Sequence, residues 1–265
     1  MPDKILVFIP AYNCEKQLPR VLDQLLDARV REKIDRCIVV NNRSTDETEG
    51  AVRAWLAAHP DSPVTLLRND DNYGLGGSHK VAFGYAAANG YDYVVVLHGD
   101  DQGDIRDLLP LLDEGKHRAV DCCLGSRFMR GSKIEGYSAL RIFGNYGFNW
   151  LFSLVTLKKI TDLGSGLNLY RVDTLKSGYY KKFPDTQYFN DCMILAQSAL
   201  GQKMLFFPIS WREEDQVSNT KLTSFAMSLL KMCGQYLTGR QAFVKREMRA
   251  KTVSEYTYTV IAENR

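Results

Sequence analysis

Short, nearly unbroken apolar runs recur along the chain, separated by amphipathic or glycine-bearing stretches. Residues 4–10 (KILVFIP), 34–40, 64–67 and 93–97 each read as a strand, the last of them buried. Helical periodicity fills the gaps at about 15–30, at 47–59 and in the alanine-rich stretch 78–89, with Asn72-Tyr73-Gly74-Leu75-Gly76-Gly77 as a glycine-rich loop. Strands alternating with helices of this length predict right-handed βαβ units, hence an α/β fold with a mainly parallel central sheet flanked by helices.

Beyond residue 104 the rhythm changes. A helix at 105–115 leads to a fifth strand, 120–125, which ends in Ser126-Arg127-Phe128. A loop (130–137), an aromatic-rich helix (139–157), a tight loop Asp162-Leu163-Gly164-Ser165-Gly166, a strand (167–170), a helix (188–200) and a late strand (204–211) follow. Leu222, Phe225, Ala226, Leu229, Leu230, Cys233, Tyr236 and Leu237 repeat at i, i+3, i+4 and define one apolar helical face. That face suits packing on the protein's own core or in a homodimer, with a membrane-interface position as the second reading. No repeat or linker marks a boundary. The expectation is one domain over 1–240, with a nucleotide half (1–127) and an acceptor half (128–240), followed by a basic C-terminal tail over 241–265.

Composition narrows the function classes. The chain has 265 residues, 45% hydrophobic and 25% charged, which excludes disordered, collagenous and coiled-coil readings. A net charge of +3 argues against a dedicated nucleic-acid binder. The six cysteines include no C-x-x-C pair and sit mostly in apolar segments, so they read as packed thiols in a reducing compartment. Without a leader pattern or a run of spanning length, the expectation is a cytoplasmic protein, with peripheral contact at the inner membrane face left open.

Candidate chemistry concentrates where the fourth strand ends, in His98-Gly99-Asp100-Asp101-Gln102-Gly103-Asp104. Open α/β sheets bind ligands beyond the carboxyl ends of their strands. Carboxylates, a Gln and a His are oxygen and nitrogen donors suited to Mg²⁺ or Mn²⁺, and such an ion neutralises a diphosphate leaving group. Asp100, directly at the strand end, is the leading candidate; Asp104 serves equally well as the start of the next helix, and His98 alone stays undecided. Lys80, one turn past the glycine loop, and Arg127, after the fifth strand, are placed to meet phosphates.

The motifs in their order resemble the family 2 glycosyltransferases. They are Pro10-x-Tyr12-Asn13, the run from Asn41 to Thr48 with Ser44-Thr45-Asp46, Asn72-x-Gly74-x-Gly76, and His98-Gly99-Asp100 with Gln102. Gly125-Ser126-Arg127-Phe128, Asp162 with Ser165-Gly166, and Phe207-Pro208-Ile209 extend the likeness toward the dolichyl-phosphate mannosyltransferase-like branch, over roughly residues 4–215. The resemblance implies a GT-A fold, a nucleotide-diphospho-sugar donor, a divalent metal ion and inverting transfer to a lipid phosphate or glycan.

Residue by residue, it implies that Pro10, Tyr12 and Asn13 shape the nucleotide pocket and that Asn41 and Asn42 meet the base, where the family usually carries Asp-Asp. It implies that Asp100 and Gln102 hold the metal, with Gly99 between Asp100 and a His98 that replaces the family's first Asp. His98 then contacts ribose or metal as a neutral imidazole, or supplies positive charge itself, so metal dependence is expected to be weaker than in relatives. Asp191 fits the general base, or else caps a helix. An anionic acceptor needs no strong base; Lys133 and Arg141 are then candidates to hold it, and Asp162 and Ser165 match an acceptor-side loop. Trp211-Arg212-Glu213-Glu214-Asp215 is acidic where that branch carries basic phosphate contacts. Two other classes stay open. One is a non-catalytic sugar-nucleotide-binding subunit, suggested by the acids missing at 41, 42 and 98. The other is a nucleotidyltransferase, although Pro10-Ala11-Tyr12-Asn13 lacks the glycine-rich basic loop such enzymes carry after the first strand.

Overall fold

The computed structural model describes residues 2–213 and 222–264. Its strands are β1 (Ile5–Ala11), β2 (Arg36–Asn41), β3 (Val64–Asn69), β4 (Tyr93–Leu97), β5 (Cys122–Ser126), β6 (Lys133–Glu135), β7 (Leu167–Arg171), β8 (Met204–Pro208), β9 (Ser210–Arg212) and β10 (Tyr258–Glu263). The helices are α1 (Leu18–Asp23), α2 (Ala28–Arg31), α3 (Thr48–Ala58), α4 (Gly74–Ala88), α5 (Leu109–Asp113), α6 (Ala139–Thr156), α7 (Val172–Leu175), α8 (Phe189–Ala199), α9 (Leu222–Thr238) and α10 (Arg240–Lys245).

Among the described residues, eight strands form one sheet in the order β10-β3-β2-β1-β4-β7-β5-β8. β3, β2, β1 and β4 are mutually parallel, with Val7 opposite both Cys37 and Val95. β7 runs antiparallel between β4 and β5, and β8 is parallel to β5. The carboxyl ends of β1 to β5 and the amino end of β7 therefore share one edge. Alternate residues of the central strands feed two cores, Leu6, Phe8 and Val94 on one face and Val7, Ile9 and Val95 on the other. Burial on both sides is why these strands read as unbroken apolar runs.

The structure corrects several local expectations. The stretch at 15–30 is α1 and α2, split by a 3-10 turn at Gln24–Leu26. The glycine-rich segment is not a loop: it forms the first turn of α4. A Cβ on Gly76 would collide with the Pro184 carbonyl and with Phe189, so the glycines let this helix press against the segment before α8, where the Gly76 amide donates to the Asp185 carbonyl at 2.8 Å. Nor is 241–265 a free tail. It includes α10 and ends in β10, which pairs antiparallel with β3 and closes that edge of the sheet.

His79 on α4 is wholly buried, its ring set against Phe8 and Phe189 with centroids at 5.2 and 5.0 Å, and its Nδ1 donates to the Leu75 carbonyl at 2.8 Å. Desolvation pushes its pKa down to about 3. A histidine held neutral contributes stability above its unfolded pKa near 6.5, and that stability drains as pH falls toward the depressed folded value. Between pH 6.5 and 5 the wild type should therefore lose roughly 2 kcal/mol that a His79→Phe variant does not lose, as read by urea unfolding at the two pH values.

Candidate active site

The shared strand edge carries two cavities that meet at Leu75 and His98. The first, about 360 Å³, is lined by Pro10 and Ala11 at the end of β1, Tyr12 and Cys14 after it, Asn42 after β2, Asn72, Gly74, Leu75 and Ser78 around the start of α4, and His98, Gly99 and Asp100 after β4. Its carboxylate is Asp100. The half-exposed Tyr12 ring offers an apolar face, and Asn42 is fixed by Asn69 Nδ2 (2.8 Å) and by its own donation to Asn72 Oδ1 (2.8 Å). A planar ring and a hydrogen-bonding wall at one end, with a carboxylate at the other, suit a nucleotide whose phosphates reach toward Asp100.

The second cavity, about 300 Å³, lies between α6, α8 and α9. It is lined by Arg127, Tyr137, Arg141, Asn190 and Asp191 and by the apolar Phe148, Phe225, Ala226 and Leu229, and shares Leu75 and His98 with the first. His98 is locked in this partition: its amide donates to the Gly166 carbonyl at 2.9 Å, and a Cβ on Gly166 would strike the ring. Burial lowers the His98 pKa, which keeps the imidazole neutral, and its Nδ1 stands 4.0 Å from Asp100 Oδ2.

The loop after β4 is held by Asp101, which the sequence offers as one of the strand-end carboxylates, a metal donor or the start of the next helix, and not as a clamp. It adopts a left-handed backbone (φ 59°) and is buried, with Arg20 Nε on Oδ2 at 2.7 Å and Arg212 Nη2 on Oδ1 at 2.5 Å. Arg212 Nε also donates to the Asp101 carbonyl at 3.0 Å. Two arginines distant in sequence thus clamp the strained residue beside Asp100. Within the stretch noted as acidic, Arg212 serves this clamp and Glu213 accepts from Arg141 Nη1 at 2.6 Å; Glu214 and Asp215 lie outside the described residues.

Arg127 is placed differently from the sequence expectation. It lines the second cavity and forms a buried two-pronged pair with Asp162, Nε to Oδ2 at 2.8 Å and Nη2 to Oδ1 at 2.7 Å, instead of facing the nucleotide cavity. Asp162 and Ser165 are themselves structural here: Asp162 also accepts from the Arg127 and Gly164 amides, and Ser165 bonds Asn168. Asp191, in the first turn of α8, is buried on the wall of the second cavity, and desolvation holds its carboxyl well above the ordinary range.

Other expected site residues are turned elsewhere. Lys80 is drawn into the interior, where Nζ meets the Phe183 carbonyl and Asp185 Oδ1, both at 2.6 Å, and Tyr256 at 3.2 Å, so it ties α4 to the C-terminal segment instead of meeting phosphate. Asn41 is buried as a brace of its loop, accepting from the Ser44 amide and donating to Glu49. Asn13 joins the first two strand-end loops by accepting from the Thr45 amide at 2.8 Å. Gln102 and Lys133 line a separate cleft with Asp104, Glu135 and Arg212, although the Gln102 backbone amide donates to Asp100 Oδ1 at 3.3 Å. Among the described residues no three His, Cys, Asp or Glu side chains converge as a metal cage.

Comparison with known proteins places this arrangement. The sequence profile described as "Glycosyl transferase family 2" matches residues 6–178. The chain is similar to an undecaprenyl-phosphate mannosyltransferase of Micrococcus luteus, 27% identical over 213 residues that cover 80% of this chain and 85% of the relative. It is also similar to a dolichyl-phosphate beta-glucosyltransferase of Dictyostelium discoideum, 23% identical over 84% of this chain and 70% of the relative. Among solved structures it is similar to a mannosyltransferase from Pyrobaculum calidifontis in complex with GDP-Man and Mn²⁺, with a TM-score of 0.58 and 20% identity over 95% of this chain and 68% of that one. Glucosyl-3-phosphoglycerate synthase from Mycobacterium tuberculosis, in complex with Mn²⁺, UDP-glucose and phosphoglyceric acid, gives a TM-score of 0.56 and 16% identity over 90% of this chain and 79% of that one. The fold is GT-A.

Proposed function

The chain belongs to glycosyl transferase family 2, and from that membership we propose that it moves a sugar, with inversion, from a nucleotide-diphospho-sugar to the phosphate of a polyprenyl lipid. The observation that carries this reading is the partition: His98 and Leu75 wall both cavities. A donor with its nucleotide in the first cavity would present its anomeric carbon at the partition, and an acceptor in the second would approach from the side opposite the leaving diphosphate. Alignment of nucleophile and leaving group is what a direct displacement requires. The second cavity combines Arg127 and Arg141 with Phe148, Phe225 and Leu229, which fits an acceptor with an anionic head and a hydrocarbon chain. The named relatives, an undecaprenyl-phosphate mannosyltransferase and a dolichyl-phosphate glucosyltransferase, support the same acceptor class.

The donor side suits a divalent ion held jointly by protein and substrate. Asp100 would be the carboxylate ligand and the neutral His98 imidazole a neighbouring donor, with phosphate oxygens completing a shell that hard cations commonly fill in this way. When bound, the ion neutralises charge on the departing diphosphate. The chain's own groups orient the reaction: Tyr12 and Asn42 position the nucleotide, and the Asp101 clamp fixes the angle at which Asp100 enters the cavity.

The test is transfer of labelled sugar from UDP- and GDP-sugars to a short polyprenyl phosphate, with Mn²⁺ or Mg²⁺ supplied. Label in an organic-extractable, acid-labile glycosyl phosphate is the expected result; label moving only to soluble glycans would sink the lipid-phosphate assignment.

The buried Asp191 favours one competing reading, transfer to a hydroxyl with that carboxylate as base. Asp191→Asn separates the two. A phosphate nucleophile is already anionic, so its rate should fall less than about tenfold, whereas a hydroxyl acceptor would lose roughly 10²–10⁴-fold. The same variant should melt at a higher temperature than wild type at pH 8 but not at pH 4. The folded protein holds Asp191 protonated above its unfolded pKa, so the cost of the carboxyl grows as pH climbs from about 4 toward the raised folded value, and Asn carries no such cost.

A further inference from the structure

We propose that α6 seats this protein on the surface of an anionic lipid bilayer, with the second cavity beside the contact. The inference deepens the acceptor reading and takes from it only the reason such a face would exist; the face itself is read from the surface. One side of α6, with Phe152 and Val155, is buried in the protein's core. The other side carries Leu140, Phe143, Tyr146, Trp150 and Leu154, followed by Leu157 just past the helix. Their spacing of three and four residues places them on one stripe. Leu140 is 72% exposed, Phe143 80% and Trp150 68%. Single exposed apolar residues need no explanation, but a row of six large ones, five on one helix and one just past its end, marks an interaction surface. On α9, Met227, Leu230 and Leu237 are also exposed.

Charge selects the partner. Between residues 139 and 161 the charged side chains are Arg141, which Glu213 already pairs, Lys158 and Lys159, and between 222 and 238 there is Lys231 alone, so the helices carry no acid of their own and the three lysines supply the remaining positive charge. A second copy docking by the same face would bring cationic rims together without a complementary acid. An anionic headgroup layer supplies the missing charge, its acyl region takes Phe143 and Leu154, and the amphipathic rings of Tyr146 and Trp150 suit the level between them. No helix among the described residues is long and apolar enough to cross a membrane, so the contact lies in the plane of the bilayer. The second cavity runs between α6 and α9, with Phe148 from one and Phe225 and Leu229 from the other. A lipid's chain would thus enter beside the surface on which the protein rests.

The test uses the full chain with vesicles of phosphatidylcholine, alone or mixed with phosphatidylglycerol, containing no polyprenyl phosphate and with no donor present. Trp55 and Trp211 are buried, so Trp150 reports the contact. Flotation with the mixed vesicles, a blue shift in emission and quenching by brominated acyl chains are expected, weakening as salt is raised. Phe143→Ser with Leu154→Ser should reduce partitioning about tenfold or more while leaving the melting temperature unchanged, because both side chains already face solvent. Absence of flotation, flotation undiminished in the double variant, or a concentration-dependent dimer that shields Trp150 without vesicles would each overturn the inference. Its failure is separable from that of the acceptor reading: transfer to lipid phosphate in detergent without vesicle binding refutes only the docking surface, and vesicle binding without transfer refutes only the acceptor.

Discussion

Asp100→Ala is expected to lower sugar transfer by about 10²–10³-fold while the protein folds and melts as the wild type does. The nucleotide cavity is lined by apolar, amide, hydroxyl, glycine and imidazole groups, and Asp100 is the carboxylate among them. Removing it leaves a developing diphosphate charge with a neutral histidine 4.0 Å from the lost oxygen and no acidic ligand for a cation. Stabilisation that is realised only as charge builds on a leaving group appears in the chemical step more than in binding. The loss should therefore dominate single-turnover rates at saturating donor. Little change in melting is expected because the loop's two arginine pairs, to Arg20 and Arg212, are made by Asp101. A wild-type rate in Asp100→Ala would remove the central assignment; a collapsed melting temperature would show that the loop depends on both acids.

This division of labour between adjacent acids marks the limit of what sequence patterning conveys. Strands β1 to β5 were legible because strands covered on both faces need continuous apolar runs, and the place of Asp100 at the cavity edge could be read because it lies three residues past the end of such a run. The Asp101 clamp was not, since Arg20 and Arg212 lie 81 and 111 residues from it and only the folded sheet brings them together. Lys80 misled for a related reason. Its position in the chain is right for phosphate, but Gly74–Gly77 coil into α4 and turn position 80 toward Asp185 and Tyr256. β10 escaped notice because an antiparallel edge strand is half-exposed and lacks the apolar run of the centre. Asp191 was singled out from motif resemblance and Arg141 as a cation for an anionic acceptor, and the structure sets both on the wall of the second cavity, Arg141 already engaged by Glu213.

The largest effect on stability should come from Arg127. Its guanidinium is buried, bonded through Nε and Nη2 to both oxygens of Asp162, and stacked 4.8 Å from the Trp211 ring and 5.1 Å from Phe128. Arg127→Ala leaves the Asp162 carboxylate in the interior with its amide partners but without its countercharge, at a cost of about 3–5 kcal/mol. For a chain of this size that corresponds to a melting temperature lower by roughly 6–20 °C. Arg127→Lys retains the charge and loses the fork, so an intermediate loss is expected. Adding Asp162→Asn to Arg127→Ala should restore part of the stability, because the stranded charge is removed along with its partner, and the coupling appears as non-additivity in a double-mutant cycle. The cycle also bears on function. Arg127 lines the second cavity, with Nη1 3.4 Å from the Tyr137 hydroxyl, so a transfer defect in Arg127→Ala combines a missing cation with a weakened fold. If the double variant regains its melting temperature and still fails to transfer, the cation itself is needed for the acceptor; if activity returns with stability, Arg127 is a positioning residue that holds the 162–166 loop against His98.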